Sequence, residues 1–238
     1  MAMKPDTICG VNAVAALFAR RPDDALRLFY LSERREVAGP WCAALAATRR
    51  PYRMVPADEL AKVAGTPHHG GIVVVAKPRT VDVLDLLAPP KLPFLLVLDG
   101  VGNPHNLGAI ARSAAFFGVR GLLLHEIPGA AMPSDAAYRT AEGGLEFLSL
   151  WRTRDLPRAL SALTPHYRTV AAELEGEAVP PAALPRDRPM ALVLGAEERG
   201  LSVPVAAACR RAVRIPGAGR VQSLNVAQAA AVLLHALV

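Results

Sequence analysis

Two kinds of apolar spacing alternate along this chain. The continuous run at 94–98 has the length of a strand covered on both faces and the short stretches 121–124, 168–172 and 191–194 also read as strands, whereas 107–117, 156–163 and 226–237 repeat at the period of a helix. From residue 94 onward the pattern predicts strand 94–98, helix 107–117, strand 121–124, helix 135–141, strand 146–150 and helix 156–163. Strands 168–172 and 191–194, helix 204–209, strand 212–215 and helix 226–237 complete it. Such alternation predicts an α/β fold with a mostly parallel sheet covered on both faces. Upstream, a shorter alternation predicts helix 11–19, strand 27–31, helix 40–47, strand 52–55, helix 57–63 and strand 72–76. Pro78, Pro89, Pro90 and Pro93 flank a short apolar piece between the two regions. The chain therefore divides into a small α/β domain over 5–77, a linker over 78–92 and a larger domain over 93–238. Residues 173–189, rich in proline and charge, read as a surface loop.

The junction after 94–98 is the densest in chemistry. Asp99-Gly100 ends the strand with turn residues, Asn106 stands where an N-cap is wanted, and Gly118 closes the helix. Leu107, Ile110, Ala111, Ala114 and Phe117 share the buried stripe, and Arg112 lies off it. Ligands of open α/β sheets bind outside the carboxyl ends of the strands, which puts Asn103, His105, Asn106 and Gly108 on the favoured edge. Taken alone, Asn106 is a cap and Arg112 a solvated charge.

Two further junctions argue against that reading. Strand 191–194 runs through Leu194 into Gly195-Ala196-Glu197-Glu198-Arg199-Gly200, where the backbone can approach a ligand closely. Strand 212–215 runs into Pro216-Gly217-Ala218-Gly219, followed by Ser223 and Asn225 ahead of the last helix. Ser223 or Asn225 also suits the cap of that helix. The chain has no GxSxG elbow, no GxxxxGK[ST] loop, no HExxH and no complete dinucleotide fingerprint.

Composition narrows the class further. Of 238 residues, 52% are hydrophobic and 20% charged, as in a well-cored soluble protein. No apolar stretch reaches a membrane span, and the start Met1-Ala-Met-Lys4-Pro5-Asp6 lacks a signal peptide's apolar core, so a cytoplasmic location is expected. Cys9, Cys42 and Cys209 form no CxxC pair, which suggests neither a metal site nor a disulfide framework. A net charge of +6 favours a polyanionic partner, although aromatics at 5% leave few stacking platforms.

In order and spacing, the three junctions resemble the three signature motifs of the SpoU/TrmH family of RNA ribose 2′-O-methyltransferases, within the SPOUT superfamily. Asn103-Pro-His-Asn106-Leu-Gly108-Ala-Ile-Ala-Arg112 is similar to the first, Leu194-Gly195-Ala196-Glu197 with Gly200 to the second, and Ile215-Pro216 through Ser223-Leu224-Asn225-Val226 to the third. The N-terminal region resembles the ribosomal-protein-like RNA-binding domain of many members, in Ile8-Cys9-Gly10-Val11-Asn12-Ala13-Val14 and His69-Gly70-Gly71-Ile72. His68 and His69 fit either RNA contact or ordinary loop roles.

The resemblance implies a trefoil-knotted catalytic domain, a homodimer, S-adenosylmethionine as cofactor and structured RNA as substrate, ribosomal RNA being favoured over transfer RNA. No metal and no membrane partner are implied. The resemblance assigns Arg112, Asn106, Glu197, Ser223 and Asn225 to the catalytic site, and Leu194, Gly195, Ile215, Gly217, Leu224 and Asn225 to the cofactor. Arg112 is read as gripping phosphate and stabilising a developing alkoxide, because a guanidinium resists deprotonation. Glu197 is read as organising the site, while Asn106, Ser223 and Asn225 orient ribose and cofactor.

Two positions depart from the family pattern. Gly217 stands where many relatives are bulky and apolar, and Ala227 where serine is frequent. The alternative reading is a catalytically inactive RNA-binding relative, against which the intact polar residues count. A nucleotide-dependent small-molecule enzyme lacks its fingerprint here, and a methyltransferase of proteins or small molecules leaves the N-terminal domain without a purpose.

Overall fold

A computed structural model describes residues 4–173 and 177–238. They form two sheets. The small N-terminal sheet has the order β1-β4-β2-β3, with β1 (Asp6–Cys9), β2 (Ala25–Tyr30), β3 (Tyr52–Met54) and β4 (Ile72–Ala76). Helices α1 (Val11–Arg20), α2 (Arg35–Ala47) and α3 (Ala57–Ala64) accompany it. Strand β1 lies outside the pattern-based expectation, since Asp6-Thr7-Ile8-Cys9 is too short and polar to register; antiparallel pairing along the buried β4 makes it a strand. Helix α2 begins five residues before the expected start at Pro40. Proline there sacrifices one helical hydrogen bond, but burial of Ala38 and Leu45 on one face carries the helix through it.

The larger sheet has seven parallel strands in the order β11-β9-β10-β6-β7-β8-β5. These are β5 (Asp82–Val83), β6 (Phe94–Asp99), β7 (Gly121–His125), β8 (Ser149–Thr153), β9 (Arg168–Ala172), β10 (Met190–Gly195) and β11 (Arg211–Val213). Helices α4 (Pro104–Phe116), α5 (Asp135–Ala141) and α8 (Val226–Leu237) serve one face, and α6 (Leu156–Leu163) and α7 (Val203–Ala208) the other. Strand β6 shows why its run is continuously apolar. Leu96 and Leu98 pack with α4 and α8, while Leu95 and Val97 pack with α6 and α7.

Strand 146–150 is displaced to Ser149–Thr153, and a 3-10 turn occupies Gly144–Phe147. The cause is Glu146, which is turned inward to meet two arginines. Arg21 Nε and Nη2 donate to it at 2.8 and 3.0 Å, and Arg79 Nη1 at 2.7 Å. Arg79 also donates to the Leu148 carbonyl. Nearby, Tyr138 donates to Asp6 Oδ2 at 2.9 Å. Burial alone would lower the pKa of the Arg21 guanidinium, but the hydrogen bond and charge of Glu146 raise it. Burial also holds the Asp6 carboxyl above its usual range, against the Arg79 N–H and the Tyr138 hydroxyl. This cluster joins the two sheets, and so does the apolar core, which runs from Ile8, Val14 and Leu17 to Leu107, Tyr138 and Leu145 without a break.

Within 78–92, Asp82–Val83 extends the larger sheet by pairing with β8. Of the expected surface loop 173–189, residues 174–176 lie outside the described residues. The remainder includes a short turn at Pro181–Ala183 and a bridge from Val179 to Val213. No helix among the described residues is long and apolar enough to cross a membrane.

Candidate active site

The carboxyl ends of β6 and β10 lie side by side, with Asp99 in register with Gly195. From β6 the chain passes Gly100, in the left-handed region at φ 69°, and enters α4. The cap of α4 is Asn103, whose Oδ1 accepts the His105 N–H at 2.9 Å, and Pro104 takes the first helical position. The expectation that Asn106 caps this helix is therefore corrected. Asn-Pro is the stronger start signal, so α4 begins three residues earlier and Asn106 lies inside its first turn with its amide free for other partners. Gly118 ends the helix as expected, at φ 82°.

After β10 the backbone folds sharply back on itself. Gly200 N donates to the Ala196 carbonyl at 2.8 Å, and a Cβ on Gly195 would fall 2.1 Å from the Gly200 carbonyl carbon. Only glycine fits at 195. The returning chain is fastened at Ser202, whose N–H and hydroxyl both donate to Asp99 Oδ2 at 2.9 Å. Asp99 Oδ1 accepts from His125 Nδ1 of β7 at 2.7 Å. The ends of β6 and β7 and the start of α7 thus converge on one buried carboxylate.

Above it runs a chain of side-chain amides. Asn225 Oδ1 accepts the Ala227 N–H at 2.9 Å and caps α8, while Asn225 Nδ2 donates to Asn106 Oδ1 at 3.2 Å. Asn106 Nδ2 in turn donates to Glu197 Oε1. Each amide uses its oxygen and its nitrogen in one consistent direction, so both orientations are determined by the helix cap at one end and the carboxylate at the other.

The remaining expected residues lie around this chain. Arg112 is off the buried stripe as expected, about 9 Å further along α4 than Asn106. Its Nη1 lies 3.0 Å from Glu142 Oε1, and its side chain is 57% exposed. Ser223 is exposed and stands outside the hydrogen-bonded set among the described residues. Ile215 packs at the core's edge, Leu194 is buried, and Leu224 is 44% exposed. Gly217 has open space where a Cβ would stand. His69 is buried and its Nδ1 accepts the Gly71 N–H at 3.1 Å, a turn-holding role; His68 is exposed.

The pattern of apolar positions missed Asp99, Ser202 and Glu142. Asp99 read as ordinary turn chemistry, and only the alignment of β6 with β10 reveals its clamp. The signal for Glu142 was a carboxylate directly before two glycines.

The segment between β11 and α8 bears on cofactor fit. Backbone groups of residues 215–224 find no backbone partner among the described residues, and apolar Val221 and Leu224 stand exposed beside them. Free backbone donors and acceptors next to apolar side chains suit a ligand with a heterocycle and polar ends.

A parallel sheet covered on both faces, with amide and carboxylate groups gathered beyond the ends of β6 and β10, defines an α/β protein with a candidate ligand site on that edge. The family model described as "SpoU rRNA Methylase family" matches residues 93–235, and the model "RNA 2'-O ribose methyltransferase substrate binding" matches 7–81. The chain belongs to the SpoU rRNA methylase family. It is 32% identical over 246 residues to the 23S rRNA (guanosine-2'-O-)-methyltransferase RlmB of Acinetobacter baylyi, covering 98% of this chain and 96% of that one. To the RlmB of Yersinia pestis it is 35% identical over 241 residues, with the same coverage. Among solved structures, the SpoU methyltransferase AviRb from Streptomyces viridochromogenes, in complex with AdoMet, superposes with a TM-score of 0.76. The identity is 26%, over 98% of this chain and 89% of that one.

Proposed function

We propose that this chain transfers a methyl group from S-adenosylmethionine to a ribose 2′-hydroxyl of ribosomal RNA. The observation that carries the reading is the chain Asn225–Asn106–Glu197, in which residues of all three motifs are joined by hydrogen bonds. Family membership, the RlmB relatives and the AdoMet-bound AviRb structure support it.

When bound, S-adenosylmethionine supplies an activated methyl group. Leu194, Gly195, Ile215, Gly217, Leu224 and Asn225 are the residues we assign to hold it, through the free backbone of 215–224 and its apolar side chains. Arg112 grips an RNA phosphate and stabilises negative charge growing on the 2′-oxygen. Asn106 and Asn225 orient the ribose, Ser223 offers its exposed hydroxyl to the polar end of the cofactor, and Glu197 sets the amide direction. The hydroxyl proton leaves to phosphate or water.

We further assign residues 5–77 to RNA binding, 78–92 to the connection and 93–238 to methyl transfer. The connection is fastened, since Arg79 and Asp82–Val83 both engage the larger domain. The trefoil knot, a homodimer and a cytoplasmic location belong to the same reading. Phe116, 83% exposed on α4 beside α8, supports the dimer.

The test is transfer of labelled methyl from S-adenosylmethionine to ribosomal RNA from cells lacking the protein. Arg112→Ala is expected to lower the rate by about 10²–10³-fold or more, with cofactor affinity and folding intact. Near-normal turnover by that variant would sink the role of Arg112, and light scattering on the same preparations tests the dimer.

A further inference from the structure

The turn that closes α5 carries Glu142, the ion-pair partner of Arg112, to which no role has yet been assigned. Glu142 ends the helix at φ 43° and ψ 44°, in the left-handed region where glycine is the usual occupant. Its carboxylate is engaged at both oxygens. Oε1 meets Arg112 Nη1 at 3.0 Å, and Oε2 accepts from Asn12 Nδ2 of α1 at 3.3 Å. The glycines that follow explain how the turn gets between these helices. A Cβ on Gly143 would lie 2.7 Å from Ala16 Cβ and 3.0 Å from the Asn12 carbonyl, and a Cβ on Gly144 would lie 2.7 Å from Arg112 Cα. The turn is wedged with α1 on one side and the backbone of Arg112 on the other. Beside it opens a cleft of about 250 Å³, lined by Gly10, Asn12, His68, His69, Arg139 and Glu142.

An ion pair this exposed contributes little to stability, and it is made by a residue in a strained conformation. Strain retained against a preference for glycine points to function. We propose that Glu142 is a positioning residue for Arg112: it holds the guanidinium by one nitrogen, leaves the other donors for RNA, and registers that orientation to the N-terminal domain through Asn12. The proposal rests on the reading of Arg112 given above. Its physical content is pre-organisation, because a free arginine samples many rotamers while an ion pair at Nη1 favours those that face Glu142.

The experiment compares the full chain with Glu142→Gln, Glu142→Gly, Glu142→Asp and Asn12→Ala, using the unmethylated ribosomal RNA and labelled S-adenosylmethionine. The readouts are kcat, KM for RNA, cofactor Kd by calorimetry and Tm. For Glu142→Gln, kcat is expected to fall about tenfold, with KM and Kd within about twofold. Glu142→Gly relieves the backbone strain, so its Tm is expected to stay level or rise while kcat falls as far. Glu142→Asp, which keeps the charge, is expected to recover part of the rate, and Asn12→Ala to lose about threefold. Unchanged kcat in both Glu142→Gln and Glu142→Gly overturns the proposal. A gain in RNA affinity also overturns it, by making the carboxylate a competitor of RNA phosphate. So does a kcat loss that follows a drop in Tm. A wild-type chain that methylates no ribosomal RNA defeats the functional reading instead, so the two failures are distinguishable.

Discussion

Glu146 and Glu197 are both carboxylates that join segments far apart in the sequence, and their surroundings are opposite. Glu146 is buried to 1% side-chain exposure and takes three charged hydrogen bonds from Arg21 and Arg79. Glu197 is exposed and meets the neutral amide of Asn106 through one oxygen. The first group has its acceptor capacity committed to the fold. The second keeps capacity in reserve, as the proposed site requires.

The sharpest way to break this contrast is to remove each carboxylate network in turn. Glu146→Ala leaves Arg79 buried without its anion and Arg21 with only the longer contacts to Asp6 and Asp24 at 3.5 and 3.6 Å, and is expected to cost about 3 kcal/mol, read as a lower urea midpoint at pH 7. A loss below about 1 kcal/mol would erase the distinction between the two networks. Asn106→Ala is expected to show the reverse pattern. Methyl transfer should fall about 10²-fold while the urea midpoint moves by no more than about 1 kcal/mol in stability, since the residue neither caps α4 nor fills its core. An unchanged rate would reduce Asn106 to a surface amide.

The smallest effect concerns burial without any network. Burial pushes the Cys9 thiol up to about 11 and the Cys209 thiol up to about 12. A raised pKa in the folded state contributes stability that is fully present below the unfolded value of 9.0. That contribution is lost as pH climbs from there toward 11–12, because the unfolded chain releases the proton first. At pH 8 both thiols are expected to react with iodoacetamide far more slowly in the native protein than in urea. Equal rates would mean that these positions are open to solvent.

Periodicity was sufficient where an element buries a whole face. Helices α5, α6 and α8 and strands β4 and β9 coincide with their expected limits because their apolar stripes begin and end where packing does. It failed where a single polar residue overrides the stripe. Glu146 shifted β8 by turning inward, and Asn103-Pro104 started α4 before its first apolar position. The site was legible as three polar strand ends, since residue type and spacing survive in one dimension. The clamp at Asp99 and the link from Arg112 to Asn12 were not, because they depend on which strand lies beside which and on which helix the Glu142 turn touches.

The shared core described above also limits how this protein can be rearranged. Ile8, Val14 and Leu17 are packed in common with Leu107, Tyr138 and Leu145, and Gly143 admits α1 to within contact of the turn at α5. A chimera that exchanges the first eighty or so residues for another domain inherits a matched seat. It must supply small residues opposite Gly143 and an arginine opposite Glu146, or lose solubility before its specificity can be measured.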